Sequence, residues 1–163
     1  MKRIIVIGPP GAGKSTFSRK LSEVLHLPLY HLDNIFWRSD KTHLPKEEFK
    51  GIVESLLEED QWIMDGDYSS TLEMRMNKSD TVFFLNYPQE VCLEGIRSRI
   101  GKKREDIPFL EEEIDPEFME WAKNWEKNKL PIVLQLIEKY SNEKNIIVFT
   151  SRIEADAYLS SLK

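Results

Sequence analysis

Gly8, Gly13, Lys14 and Ser15 stand at the spacing G-x-x-x-x-G-K-[ST] in the stretch GPPGAGKS. These residue types suit one task. Glycines let successive backbone N–H groups converge on an anion, a lysine adds a long cation, and a serine hydroxyl can meet Mg²⁺. Pro9, Pro10, Gly11 and Ala12 make the body of the loop, and Thr16 adds a second hydroxyl. The pattern can arise by chance, but here the apolar run Ile4-Ile5-Val6-Ile7 precedes it and a helix-compatible segment, Lys14 to Leu25, follows. A strand feeding a glycine-rich turn and then a helix N-terminus is the context in which the motif holds phosphate. The expected ligand is a nucleoside triphosphate, ATP with GTP possible. Lys14 would neutralise the β- and γ-phosphates, and Ser15 would meet Mg²⁺.

Further polar groups follow later strands. Asp33 in HLDNIFW is a candidate for orienting or deprotonating an acceptor; the alternative is an ordinary turn aspartate. Asp65 closes WIM and is either a direct or water-mediated metal contact or a cap on the turn. Gly66, Asp67, Tyr68 and Ser69 continue that turn and can hydrogen-bond an acceptor, although Tyr68 equally suits a packed ring. Arg75 would anchor an anionic part of the acceptor or lie solvated on a helix. Between Arg97 and Arg104, five cations fall within eight residues (RSRIGKKR) of an acidic chain. Folded over phosphates, such a segment offers bidentate arginine contacts, and Arg99 and Arg104 are the candidates for catalysis beside Lys14 and Asp33. The competing reading is a basic turn balanced by Glu111, Glu112 and Glu113. His26, His31 and His43 lack zinc-site spacing, and the lone Cys92 offers no thiolate cluster. Trp121 and Trp125 are four apart and can share a helix face, while Trp37 can cover an acceptor pocket or pack.

These groups need strands that end together. Apolar runs predict strands at 4–7, 27–31, 61–64, 81–85 and 146–149, separated by helices at 14–25, 45–58, 70–76 and from Pro88. DNIFWRSD reads as a loop, and Ser151 with Glu154 reads as the capping box of a last helix. Short apolar strands alternating with helices predict a parallel sheet covered on both faces, with ligands beyond the strands' carboxyl ends. The interval 101–145 breaks the rhythm. It reads as a short lid, about 101–115, followed by a helical stretch from Pro116 to Tyr140 that Pro131 should break or offset.

The chain has 163 residues, 40% of them apolar, with a formal charge of −5. That is one domain's length with ample material for a core. The acidic balance argues against bulk DNA binding, leaving the local cation cluster as its sole support. Ile4 to Ile7 is too short for a signal sequence, no run is long enough to span a bilayer, and one cysteine fits a reducing compartment. The expectation is a cytoplasmic protein without a membrane partner.

LPLYHLDNIFW followed by WIMDGDYSSTLEMRMNKSDTVFFLNYP resembles the bacterial topology modulation family, small P-loop proteins related to adenylate kinase. The resemblance runs from IIVIGPPGAGKST to the last helix. It implies a three-layer α/β P-loop NTPase fold with a five-stranded parallel sheet, adenylate-kinase-like, and a phosphotransfer role linked to DNA supercoiling by association rather than by DNA-cleaving chemistry. On this resemblance Gly8, Gly13, Lys14, Ser15 and Thr16 match the nucleotide loop. Asp33 matches the aspartate after the second strand, Asp65 and Gly66 the DG turn, and Arg75 the arginine after it. Two departures stand out: the family's DGNYSRT is DGDYSST here, with Asp67 and Ser70, which makes the acceptor site less cationic. The lid is also short, with no zinc-binding cysteines. The leading expectation is a Mg²⁺-dependent phosphotransferase acting on a small molecule or nucleotide; the alternative is a regulatory or slowly hydrolysing NTP-binding protein.

Overall fold

Strand β1 (Arg3–Ile7) is apolar from Ile4 to its end because both faces of that stretch are covered. Its period of two puts Ile4 and Val6 on one side and Ile5 and Ile7 on the other. In the computed structural model, which describes residues 1–163, α1 (Lys14–Leu25), β2 (Leu29–His31), α2 (Leu32–Phe36), α3 (Lys46–Leu57), β3 (Trp62–Asp65), α4 (Ser69–Lys78), β4 (Thr81–Leu85) and α5 (Gln89–Arg99) follow. The chain continues through α6 (Pro116–Lys123), α7 (Trp125–Asn128), α8 (Leu130–Tyr140), β5 (Asn145–Phe149) and α9 (Arg152–Ser161). The five strands form one sheet in the order β2-β3-β1-β4-β5, and every pairing is parallel.

Two apolar layers sandwich this sheet. Phe49, Val53, Leu72, Met76, Trp125 and Val133 pack on the Ile5/Ile7 face, so α3, α4, α7 and α8 cover it. Phe17, Leu21, Cys92, Ala155 and Leu159 pack on the Ile4/Val6 face, bringing α1, α5 and α9 there. The architecture is the expected three-layer α/β fold. Helix α9 is capped as anticipated: Ser151 accepts from the Glu154 N–H at 3.3 Å, and Glu154 accepts from the Thr150 N–H at 2.7 Å.

Two local expectations change. DNIFW is not a plain loop: Leu32–Phe36 forms α2, fastened by the fully buried Leu32. Trp121 and Trp125 do not share a helix, because the helical stretch breaks at Asn124, whose side chain folds back on Glu120 O at 2.8 Å. Trp125 is buried and Trp121 is exposed. Pro131 offsets the helical stretch as expected: α7 ends at Asn128 and α8 starts at Leu130, so the proline lies in the first turn of α8, where a missing N–H costs nothing.

Candidate active site

Order in the sheet decides which groups meet. β1 is central and carries the phosphate-binding loop; β3 and β2 lie on one side of it, β4 and β5 on the other. The groups ending β2 and β3 therefore face the loop from one flank, and the start of α9 faces it from the other. A cleft of about 1150 Å³ spans both flanks, more room than one small ligand requires.

The loop is bent for anions. Gly8, Gly11 and Gly13 all have positive φ, and α1 begins at Lys14 with no side-chain cap, leaving its first amides for a ligand. Gly11 is required by close packing as well as by φ: a Cβ there would lie 1.9 Å from Cys92 O. Gly95 on α5 is its counterpart, since a Cβ on it would lie 2.1 Å from Gly11 O. Arg152 donates to the same Gly11 carbonyl at 3.2 Å. Lys14 Nζ donates to Gly8 O at 2.8 Å and Pro9 O at 2.9 Å, and lies 3.8 Å from Asp67 Oδ2. Pro10 through Thr16 line the cleft, while Gly8 and Pro9 turn their carbonyls to the lysine.

On the opposite flank, parallel register sets His31 beside Asp65, and His31 Nδ1 lies 2.7 Å from Asp65 Oδ2. Burial works against a charged His31 ring, but the Asp65 carboxylate outweighs it and the net shift is upward. Asp33, at the start of α2, accepts from the Tyr68 hydroxyl at 2.6 Å. Burial raises the Asp33 carboxyl above the usual range, with Tyr68 and Lys14 opposing it. Burial also raises Asp67, opposed first by Lys14 and then by Arg75.

Tyr68 adopts a left-handed backbone, φ 36° and ψ 74°, rare for an aromatic residue. What holds it is Arg75. This fully buried guanidinium donates to Thr71 Oγ1 at 3.1 Å, Gly66 O at 3.1 Å, Asp67 O, and Tyr68 O at 3.4 Å. Burial pulls its pKa down to about 10, with Asp67 and Asp65 opposing, so it stays charged at neutral pH. Arg75 does not line the cleft, and the expected contact with an acceptor anion gives way to a brace beneath the turn.

Residues 101–115 contain no helix or strand and lie against α2. Asn34 donates to Glu105 O at 2.6 Å, and the Trp37 and Phe109 rings meet edge to face at 5.9 Å. Arg104 grips both oxygens of Asp106, at 3.0 and 2.6 Å, and also bonds Glu111. Arg99 lies 3.3 Å from Glu111 and over the Phe118 ring. Arg99, Lys103 and Arg104 line the cleft; Arg97 and Lys102 do not. Asp33, Asp65, Gly66, Asp67 and Tyr68 all line it too. Glu111, one of the three acids set against the basic turn, meets both Arg99 and Arg104. Sequence reasoning missed Asp106, and His31 as the partner of Asp65. Only the last carried a signal, the matched ends of two neighbouring strands.

No group of three or more His, Cys, Asp or Glu is arranged to hold a metal ion. Ser15 and Asp65 nevertheless offer hard oxygen donors to one cleft, which suits Mg²⁺, an ion that keeps waters and takes phosphate oxygens.

No family model matches the chain. Adenylate kinase of Thermosipho africanus is 28% identical over 115 residues, covering 66% of this chain and 52% of that protein. Among solved structures, the shikimate kinase from Acinetobacter baumannii in complex with shikimate aligns with TM-score 0.64 at 16% identity, over 99% of this chain and 90% of that one. A gluconokinase from Sinorhizobium meliloti aligns with TM-score 0.58 at 16% identity, over 99% and 93%. The chain thus carries a phosphate loop and is similar over about two thirds of its length to adenylate kinase, while its likeness to the shikimate kinase and the gluconokinase is one of fold. Its three layers around a five-stranded parallel sheet match the architecture of those kinases. The chain spans about half the length of the curated relatives it matches. No helix is long and apolar enough to cross a membrane.

Proposed function

We infer that the chain is a phosphotransferase that moves the γ-phosphoryl group of ATP, with GTP as an alternative donor, to a hydroxyl of a small molecule. The observation that carries this reading is the placement of Asp33 and the phosphate loop on the two sides of one cleft large enough for two ligands. A protein that only held nucleotide would need no further room beside the phosphate loop, lined by a carboxyl group such as Asp33.

The chemistry then divides among named groups. Backbone N–H groups from Gly11 to Thr16 hold the triphosphate. Lys14 leaves the Gly8 and Pro9 carbonyls and neutralises the outer phosphates. Asp33, with its raised pKa, accepts the proton of the attacking hydroxyl, while Tyr68 fixes the carboxylate's direction. Ser15 and Asp65 would hold Mg²⁺, which when bound neutralises charge on the phosphate oxygens. Residues 101–115 act as the lid, and Arg99 and Arg104 exchange Glu111 and Asp106 for the transferring group. The lid's place over α2 excludes water from the acceptor chamber. A cytoplasmic setting belongs to this reading, and direct DNA binding does not. The resemblance to the topology modulation family rests on the sequence motifs, and any influence on DNA topology is indirect here.

The test is nucleoside diphosphate release from MgATP and MgGTP across panels of hydroxylated acceptors. Acceptor-dependent release, lost in Lys14→Ala with the fold intact, is the expected result. Hydrolysis unchanged by every acceptor would instead mark a regulatory or slowly hydrolysing NTP-binding protein.

A further inference from the structure

The acceptor half of the cleft has a specific chemical character. Its walls include the rings of Phe36, Trp37, Tyr68 and Phe109, and the carboxyl groups of Asp33 and Asp67 face it together with those of Asp65 and Asp106. Phe36 meets Trp37 edge to face at 5.1 Å and Tyr68 at 5.1 Å, and Trp37 meets Phe109 at 5.9 Å, so the rings form a continuous aromatic lining. Such faces suit the flat or C–H-bearing side of a ring, and carboxylates suit hydroxyl donors.

A phosphate-bearing acceptor would need planar guanidinium forks, and the arginines near this chamber are already committed. Arg75 is spent beneath the turn on Thr71 and on the Gly66, Asp67 and Tyr68 carbonyls. Arg99 and Arg104, held here by Glu111 and Asp106, are the groups that the reading above turns to the transferring phosphoryl group, and Arg19 pairs with Glu105 at 3.3 Å. What remains on this side is lysines at the rim: Lys41, exposed above Phe109, Lys103, exposed on the lid, and Lys129, bonded to Ser69 Oγ at 3.3 Å. Asp67 adds the opposite sign where it is least welcome to an anion, 3.8 Å from Lys14 and facing the cleft.

Resting on the phosphotransferase reading above, we propose that the acceptor is an uncharged ring-bearing alcohol, a nucleoside or a sugar, and that Asp67 excludes phosphorylated acceptors. One hydroxyl of the acceptor loses its proton to Asp33 as its oxygen bonds to the γ-phosphorus. The bond from that phosphorus to the β-bridging oxygen breaks, and the nucleoside diphosphate leaves with the electron pair. Asp67 accepts a hydrogen bond from a second hydroxyl, and the aromatic lining takes the ring.

The experiment compares four acceptor sets with the full chain and MgATP: nucleosides, sugars, their monophosphates, and ring hydroxy acids. Diphosphate release and product formation are followed together. A neutral acceptor should exceed its own monophosphate in kcat/KM by at least tenfold, and the two neutral sets tell nucleoside from sugar. Asp67→Asn should narrow that ratio by about tenfold while still binding triphosphate. Preference of the wild-type chain for a monophosphate or a hydroxy acid would overturn the proposal and leave the phosphotransferase reading standing. So would an Asp67→Asn ratio equal to wild type. If MgATP binds but no acceptor in any set stimulates release, the phosphotransferase reading itself falls, and the proposal with it. The wild-type comparison does not depend on the variant's folding.

Discussion

The Tyr68 hydroxyl donates a 2.6 Å hydrogen bond to Asp33 Oδ1, joining the turn after β3 to the helix after β2. The bond favours the charged carboxylate, against the burial that raises its pKa. Tyr68→Phe removes that support. The acid limb of the rate profile should move to higher pH by about one unit, a typical value for a lost hydrogen bond to a charged group. A pH–kcat profile unchanged between the two proteins would sever Asp33 from the titration.

Asp33→Asn should uncouple stability from activity. Because the folded carboxyl is raised above its unfolded value, its contribution is fully present at low pH and is lost as pH rises through the folded pKa. At neutral pH the charged group thus costs stability that the amide does not, and Asn can still accept from Tyr68. Urea unfolding at pH 7 should show the variant more stable by about 1 kcal/mol, with the gap closing on acidification. Phosphoryl transfer should fall by about 100-fold or more.

Arg75 bears on stability through the turn it braces. Arg75→Met leaves the Gly66, Asp67 and Tyr68 carbonyls without their buried donor and should cost about 3 kcal/mol or more. Arg75→Lys restores the charge but cannot place donors on all four acceptors. Denaturant midpoints should therefore rank wild type above Lys and Lys above Met. A midpoint for Met equal to wild type would mean the brace contributes nothing.

Gly95→Ala sets two effects against each other. Alanine improves the interior of a helix by about 1 kcal/mol. Here, however, its Cβ would meet the backbone oxygen of Gly11 at 2.1 Å, so α5 or the phosphate loop has to move. Overpacking of this kind costs about 1–3 kcal/mol, and the clash wins. Calorimetric titration should show weaker triphosphate binding, together with a lower unfolding midpoint. Unchanged affinity would show that the loop's seat on α5 does not govern nucleotide binding.

Much of this architecture was legible in the order of residue types. Lys14–Leu25 and Thr81–Leu85 have the same bounds in the chain's periodicity and in the fold, because each pattern meets its own covered face. The phosphate loop was legible for a similar reason: its glycines, lysine and serine are neighbours in sequence, so local geometry suffices to assemble them. α2 was not, since five residues of mixed polarity form a helix only where Leu32 finds a buried seat.

Sequence alone determined the fold class, the phosphate loop, and the set of acids and bases that follow the strands. Tertiary structure decided how those groups are spent. It paired His31 with Asp65 through strand register, sent Arg75 beneath the turn rather than into the cleft, and matched Arg104 with Asp106 and Glu111. Apolar periodicity is repeated along a chain and can be read from it. A charged side chain's partner depends on which distant backbone arrives beside it, and that becomes defined only when the sheet has assembled.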